Sequence, residues 1–217
     1  MAASVFLVAL AIAALVVLLV GEKTQRHSLR IPAKLLASAS FVAVGALRLE
    51  AGDTSGAWLV LALVLCALGD AALLHRKGFV AGLGLFLLGH LAYLGAFQAL
   101  APVRGWPVGR LVPVVLVSGV AANRLWPHLG RLRWAVLAYV TVISLMVWGA
   151  ASMATIGDEH GYLRLAGAIL FYSSDLFVAR DRFVDRAFVN RALGLPLYYA
   201  GQLMLAFTVG GGHVAGL

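Results

Sequence analysis

The stretch Ala57–Leu74, AWLVLALVLCALGDAALL, decides the fold. Its eighteen residues carry one charge, Asp70, and are otherwise apolar or small. A run of that length matches the hydrocarbon thickness of a bilayer as an α-helix. Lipid offers the backbone no hydrogen bonds, so the helix, which satisfies its own, is the form such a run takes there. Outward from this segment the pattern repeats. The expected spans are Ala3–Val20, Ile31–Leu47, Ala57–Leu74, Phe79–Leu100, Leu111–Asn123, Trp134–Ala154, Tyr162–Ala179 and Arg191–Val209. The second and fifth carry the weakest signal. Across 217 residues, 62% are hydrophobic and 12% charged, against roughly half and a quarter in soluble domains. A soluble globule of this size would lack the polar residues to cover itself. The chain therefore reads as all-α, a polytopic membrane bundle of about eight helices forming one domain over residues 1–217.

Charge placement tests that count. Thirteen of the 17 Lys and Arg fall in the loops after spans one, three, five and seven, and four in the loops after the even spans. By the positive-inside rule the odd loops are cytoplasmic and both termini face outward. The expected location is a bacterial inner or plasma membrane, multi-pass. No Lys or Arg precedes the first apolar run, which argues against a removed signal peptide. The net charge of +8 is dispersed between apolar runs rather than gathered in one tract, so nucleic-acid binding is not expected. Cys66 is the single cysteine, which excludes an internal disulfide and a cysteine-based cluster.

Ionisable side chains inside apolar spans are costly and mark function by default. Asp70 lies about one turn from the cytoplasmic end of span three, and Asp175, in YSSD, at a similar depth in span seven. At 1.5 Å per residue both sit roughly 6 Å below the boundary. His90 is deeper, in span four. Tyr198 and Gln202, four residues apart, share a face of span eight. Two carboxylates, an imidazole and a phenol converging on one cytoplasm-facing cavity are equipment for acid–base chemistry. Structural alternatives stand beside this. Either Asp can cap a helix or pair with an interfacial arginine. His90 beside Gly89 can bond a carbonyl across a tight contact, Ser173 and Ser174 can bridge helices, and one of Tyr198 and Tyr199 can be an interfacial anchor. No metal site is expected, because His90 is the only intramembrane histidine. A serine hydrolase lacks its G-x-S-x-G elbow. Asp70, Arg76, Phe79 and Asp175, Arg180, Phe183 form a faint internal echo to which no weight attaches.

In three blocks the sequence resembles the YhhN family of transmembrane lysoplasmalogenases. The first comprises Gly69-Asp70, Phe79, Gly82, Phe86, His90, Tyr93 and Phe97; the second Ser174-Asp175-Leu176 and Phe183; the third Tyr198-Tyr199-Ala200-Gly201-Gln202. Gly89 and Gly201 depart from it, standing where alanine is expected. The resemblance implies cleavage of a lysoplasmalogen vinyl ether to a fatty aldehyde and glycerophospho-ethanolamine or -choline, with no cofactor. The expected site has Asp70, Asp175 and His90 in catalysis, and Tyr93, Ser174, Tyr198, Tyr199, Gln202 and Arg182 around the lysophospholipid. Which carboxylate is the acid stays open, as does the oligomeric state. The competing readings are a carrier or transporter using the same buried groups, and hydrolysis of another lysolipid bond.

Overall fold

A computed structural model describes residues 2–75 and 77–211; Arg76 and His213 lie outside them. Among the described residues the chain forms eight α-helices and no strand: α1 (Ala2–Thr24), α2 (His27–Ala46), α3 (Thr54–Leu73), α4 (Phe79–Leu100), α5 (Leu111–Leu125), α6 (Arg133–Met153), α7 (Gly161–Phe183) and α8 (Phe188–Phe207). Seven are long and apolar enough to cross a membrane, α5 by counting its flanking 3₁₀ turns over Val108–His128. The remaining helix, α8, has the length but carries Asn190, Arg191, Tyr198, Tyr199 and Gln202. Its polarity is turned inward: all of these but Arg191 are buried, and α8 runs against α1, α2, α3 and α7. A helix lined by other helices need not be as apolar as one facing lipid. The expected eight-helix membrane bundle is what forms. Several boundaries shift by three or four residues, with α2 starting at His27, α3 at Thr54 and α8 at Phe188, and with α1 running on to Thr24 and α7 to Phe183, because polar residues at the interface still hydrogen-bond as helix.

Helices adjacent in sequence pair as antiparallel hairpins, most closely α1–α2, α3–α4 and α7–α8. α6 packs on α4 and α7, and α5 leans on α6, touching α7 through the Ser118–Tyr172 hydrogen bond of 2.9 Å. Glycines set two of these approaches. A Cβ at Gly201 would lie 2.8 Å from the Gly167 carbonyl oxygen, and one at Gly89 would lie 2.7 Å from Cys66 Sγ. These are the two positions where the sequence departs from the expected alanine, so the departures belong to close helix contact.

At the bundle end opposite the odd loops, Arg164 is not a loop residue as the charge count treated it. It is wholly buried in α7, paired with Asp158 and donating to the carbonyls of Thr208 (3.0 Å) and Gly211 (3.3 Å). A guanidinium there satisfies the terminal carbonyls of α8 and complements its dipole. At the same end Asp53 caps α3, its Oδ1 accepting from the Gly56 amide at 2.8 Å and the Ser55 hydroxyl at 2.8 Å. Burial works against the charged form, but these bonds, the Gly210 amide and the Arg164 charge together hold the carboxyl below its ordinary value of 3.8.

Gly201→Ala is expected to lower stability in detergent by about 1–3 kcal/mol, as overpacking does, read from thermal unfolding. Asp53→Ala is expected to cost about 1 kcal/mol at neutral pH. Because the folded-state value is depressed, that contribution is complete above the ordinary carboxylate range and fades as pH falls through it. The gap between wild type and Asp53→Ala should therefore close in acid.

Candidate active site

At the bundle end that carries the odd loops, a cavity of about 270 Å³ opens between the helices. Asp70, Asp175, Ser174, Tyr198 and Arg182 line it. The remaining expected residues, His90, Tyr93, Tyr199 and Gln202, form a layer behind its wall, all buried. Both carboxylates thus face one space, from α3 on one side and α7 on the other.

Each carboxylate has its own retinue. Asp70, 2% exposed, accepts from Ser38 Oγ at 2.7 Å on Oδ2 and pairs through Oδ1 with Lys34 Nζ at 2.8 Å. Tyr199 braces this side from α8, its hydroxyl 3.5 Å from Ser38 Oγ and 3.4 Å from the Lys34 carbonyl. Among the described residues Asp175 has no lysine or arginine partner. Its Oδ2 accepts from Tyr139 OH at 2.7 Å and lies 3.3 Å from His90 Nε2, which is itself 3.0 Å from Tyr139 OH. The imidazole stands 4.5 Å from the Phe171 ring, centre to centre, and is fully buried. One side of the cavity therefore holds a carboxylate paired with a lysine. The other holds a carboxyl, an imidazole and a phenol, groups that pass protons.

Tyr93 donates to Gln202 Oε1 at 2.6 Å, fixing the amide. Three buried atoms in this region, His90 Nδ1, Tyr198 OH and Gln202 Nε2, find no hydrogen-bond partner among the described residues. Leaving such groups unsatisfied is expensive, so the region suits a bound water or the oxygen of a substrate. Ser173 bonds its own helix at Ile169, and Ser174 is the serine that reaches the cavity. Among the described residues no group of three metal-ligating side chains converges.

At the cavity mouth Glu22, from the end of α1, bonds Arg30 at 2.7 Å and Arg191 at 3.2 Å; Arg191 also reaches Asp181 at 3.3 Å. Arg182 lies 4.3 Å over the Phe79 ring, and Phe79 meets Phe183 edge-on at 5.8 Å, so the phenylalanines of the internal echo touch.

Sequence reasoning missed Tyr139, Lys34, Ser38 and Glu22. Lys34 was counted as a loop cation, although it follows Ile31, where the second span was drawn to begin. That inconsistency was the available signal for a charge inside a helix. Tyr139 sits mid-helix in α6 and looks, in sequence, like any aromatic in an apolar run.

Fold and cavity together define a class: a multi-pass helical membrane protein with a polar, acid-lined chamber near one membrane face. The YhhN family model matches residues 29–209, and the chain belongs to the YhhN family. It is 36% identical over 153 residues to "Lysoplasmalogenase TMEM86A" of Bos taurus, spanning 67% of this chain and 62% of that protein. It is 34% identical over 190 residues to "Lysoplasmalogenase" of Mycobacterium bovis, spanning 83% and 69%. To "Lysoplasmalogenase TMEM86B" of Rattus norvegicus it is 33% identical over 153 residues, spanning 70% and 61%. No solved structure matches.

Breaking a buried ion pair strands a charge, so Lys34→Met is expected to lower stability by about 3–5 kcal/mol. Adding Asp70→Asn should recover most of that loss, as measured by unfolding of the single and double variants in detergent.

Proposed function

We propose that this chain is a lysoplasmalogenase, hydrolysing the vinyl ether of a lysoplasmalogen to a fatty aldehyde and a glycerophospho-ethanolamine or -choline. The observation that carries the reading is the pair of carboxylates, one from α3 and one from α7, lining one cavity, each with different neighbours. Membership of a family whose relatives carry that name supports it.

The chemistry asks for two things. A proton must reach the alkenyl carbon two removed from the ether oxygen, leaving positive charge shared between carbon one and oxygen. Water must then add to carbon one, losing a proton, and the resulting hemiacetal must break down to aldehyde and the glycerol hydroxyl. Asp175, with His90 and Tyr139 bonded to it, is the proton-delivering group, since its neighbours can replace the proton it gives. Asp70 is the fixed negative charge that steadies the cation and takes the proton of the attacking water. Lys34 and Ser38 hold it in place, and Lys34 keeps the pair of carboxylates from repelling each other at full strength. Tyr198 and Gln202 orient the water or the leaving oxygen. The alkenyl tail lies along the apolar wall formed by Leu83, Phe86, Val140 and Ile143, which line the same cavity. The end of the bundle with the basic odd loops faces the cytoplasm, so a single-chain lipid reaches the site from the inner leaflet.

Asp70→Asn and Asp175→Asn, in protein that still folds in detergent, are each expected to abolish aldehyde release from a lysoplasmalogen, measured by trapping the aldehyde. Full activity in both would end the proposal. Tyr139→Phe is expected to lower kcat by about 10²-fold, the lower range for a positioned proton-transfer group, with KM little changed.

A further inference from the structure

The connection between α5 and α6 has two faces of opposite character. It is built from two 3₁₀ turns, Trp126–His128 and Gly130–Leu132, and ends at Arg133, where α6 begins. On its inner face Leu125, Leu129 and Val136 are buried together against Ala179 and Phe183 of α7. All of these but Leu129 line the cavity. Ala179 is one turn beyond Asp175 on α7, and Val136 is one turn before Tyr139 on α6. This small cluster therefore continues the wall that carries Asp175 and Tyr139.

The outer face is basic and aromatic. Arg124, Arg131 and Arg133 are exposed, and so are Trp126 (40%) and Trp134 (70%). The two indoles meet edge-on at 6.0 Å, and the Arg133 guanidinium stands 5.4 Å over the Trp126 ring. Elsewhere at this end of the bundle Lys34 is spent on Asp70, Arg30 on Glu22, and Arg191 on Glu22 and Asp181. Among the described residues the three arginines of the connection pair with no acid. Their own stretch of chain offers none, since no Asp or Glu occurs between Asp70 and Asp158.

We propose that this connection is a docking surface for anionic phospholipid, and that lipid seated there holds the cavity wall in place. An anionic headgroup layer complements it in charge and in depth: phosphates meet the guanidiniums, and the indoles sit at headgroup level. The protein itself does little to seat the connection. Along its length α5 buries only Ser118 and Leu125. Ser118 is tied at mid-helix to Ser144 (2.6 Å) and Tyr172 (2.9 Å), well away from the turns. The turns thus rest on one small apolar cluster from within and on the bilayer from without. In neutral lipid the second support is lost, and a segment with so few buried apolar contacts opens locally more often. The surface acts on the wall whichever lipid the cavity accepts, so it stands apart from the vinyl-ether chemistry.

The test places the whole chain in nanodiscs of phosphatidylcholine, with or without a fixed fraction of phosphatidylglycerol, and takes two readouts that involve no turnover. In the first, tryptophan fluorescence is quenched by brominated phosphatidylglycerol or, at the same fraction, by brominated phosphatidylcholine. Wild type should be quenched more by the anionic lipid. That excess should fall in Trp134→Phe and disappear when Arg124→Gln, Arg131→Gln and Arg133→Gln are combined. Inorganic phosphate at constant ionic strength should leave it unchanged. In the second, Leu129→Cys in a Cys66→Ala background is modified by N-ethylmaleimide, an uncharged thiol reagent. Leu129 is 5% exposed, so its modification reports opening of the cluster. The rate should be about fivefold lower or more with phosphatidylglycerol present, the worth of one arginine at an anionic surface. Replacing the three arginines should make it fast in both bilayers. Leu132→Cys, packed on the same cluster, is the second reporter should Leu129→Cys not fold. Equal quenching by the two brominated lipids, or an excess that survives loss of the arginines, overturns the docking surface. An excess abolished by inorganic phosphate also overturns it, since the site is then one for free anions. Modification that proceeds equally fast with and without phosphatidylglycerol overturns the hold on the wall.

Discussion

Two carboxylates held inside a membrane bundle are the constraint around which the rest of this protein is arranged. An aspartate surrounded by hydrocarbon is tolerated only where other groups compensate it. Here the compensation draws on four helices. Lys34 and Ser38 come to Asp70 from α2, with Tyr199 of α8 behind them. Tyr139 from α6 and His90 from α4 come to Asp175. Helices that must deliver those groups to one chamber cannot slide or rotate independently, so the polar site also specifies the packing. The same demand explains α8. Its polar residues would be out of place against lipid, and it runs among α1, α2, α3 and α7 with that face inward.

In the proposed reaction the unlike surroundings of the two acids would divide their work. A carboxylate paired to an ammonium is a stable negative charge, suited to an oxocarbenium ion and an incoming water. A carboxyl bonded to an imidazole and a phenol belongs to a chain along which a proton can move. Acid–base catalysis commonly sets two similar groups apart by environment in this way. The membrane adds a further role for the wall. For the proposed substrate, the lipid's tail would remain among apolar side chains with its headgroup at the charged mouth, presenting the scissile bond at a depth set by the substrate's own amphipathic shape.

Much of this was legible in the chain. Apolar runs of bilayer length, and basic residues gathered in alternate loops, were enough for an eight-helix bundle. Asp70, Asp175 and His90 stood out because charge in an apolar run is rare. What stayed hidden depends on partners far apart in sequence. Nothing in the neighbourhood of Tyr139 distinguishes it from an aromatic that faces lipid, and only the approach of α6 to α7 gives it Asp175. Lys34 and Arg164 were misplaced for a related reason. A cation near a predicted helix end reads as a topology signal, whereas each is drawn into the bundle by an acid, Asp70 for one and Asp158 for the other. Glu22 was silent because its meaning lies in Arg191, at the start of the last helix.

The account turns on Asp70 and Asp175 facing one water-reachable space, and labelling tests that without reference to turnover. In a Cys66→Ala background, Asp70→Cys and Asp175→Cys would be exposed in turn to a small, water-soluble thiol reagent, with and without an alkyl-ether lysolipid. Reaction at both positions, and protection of both by the same lipid, is the predicted result. A reagent that reaches one cysteine and not the other, or a lipid that shields only one, would contradict it.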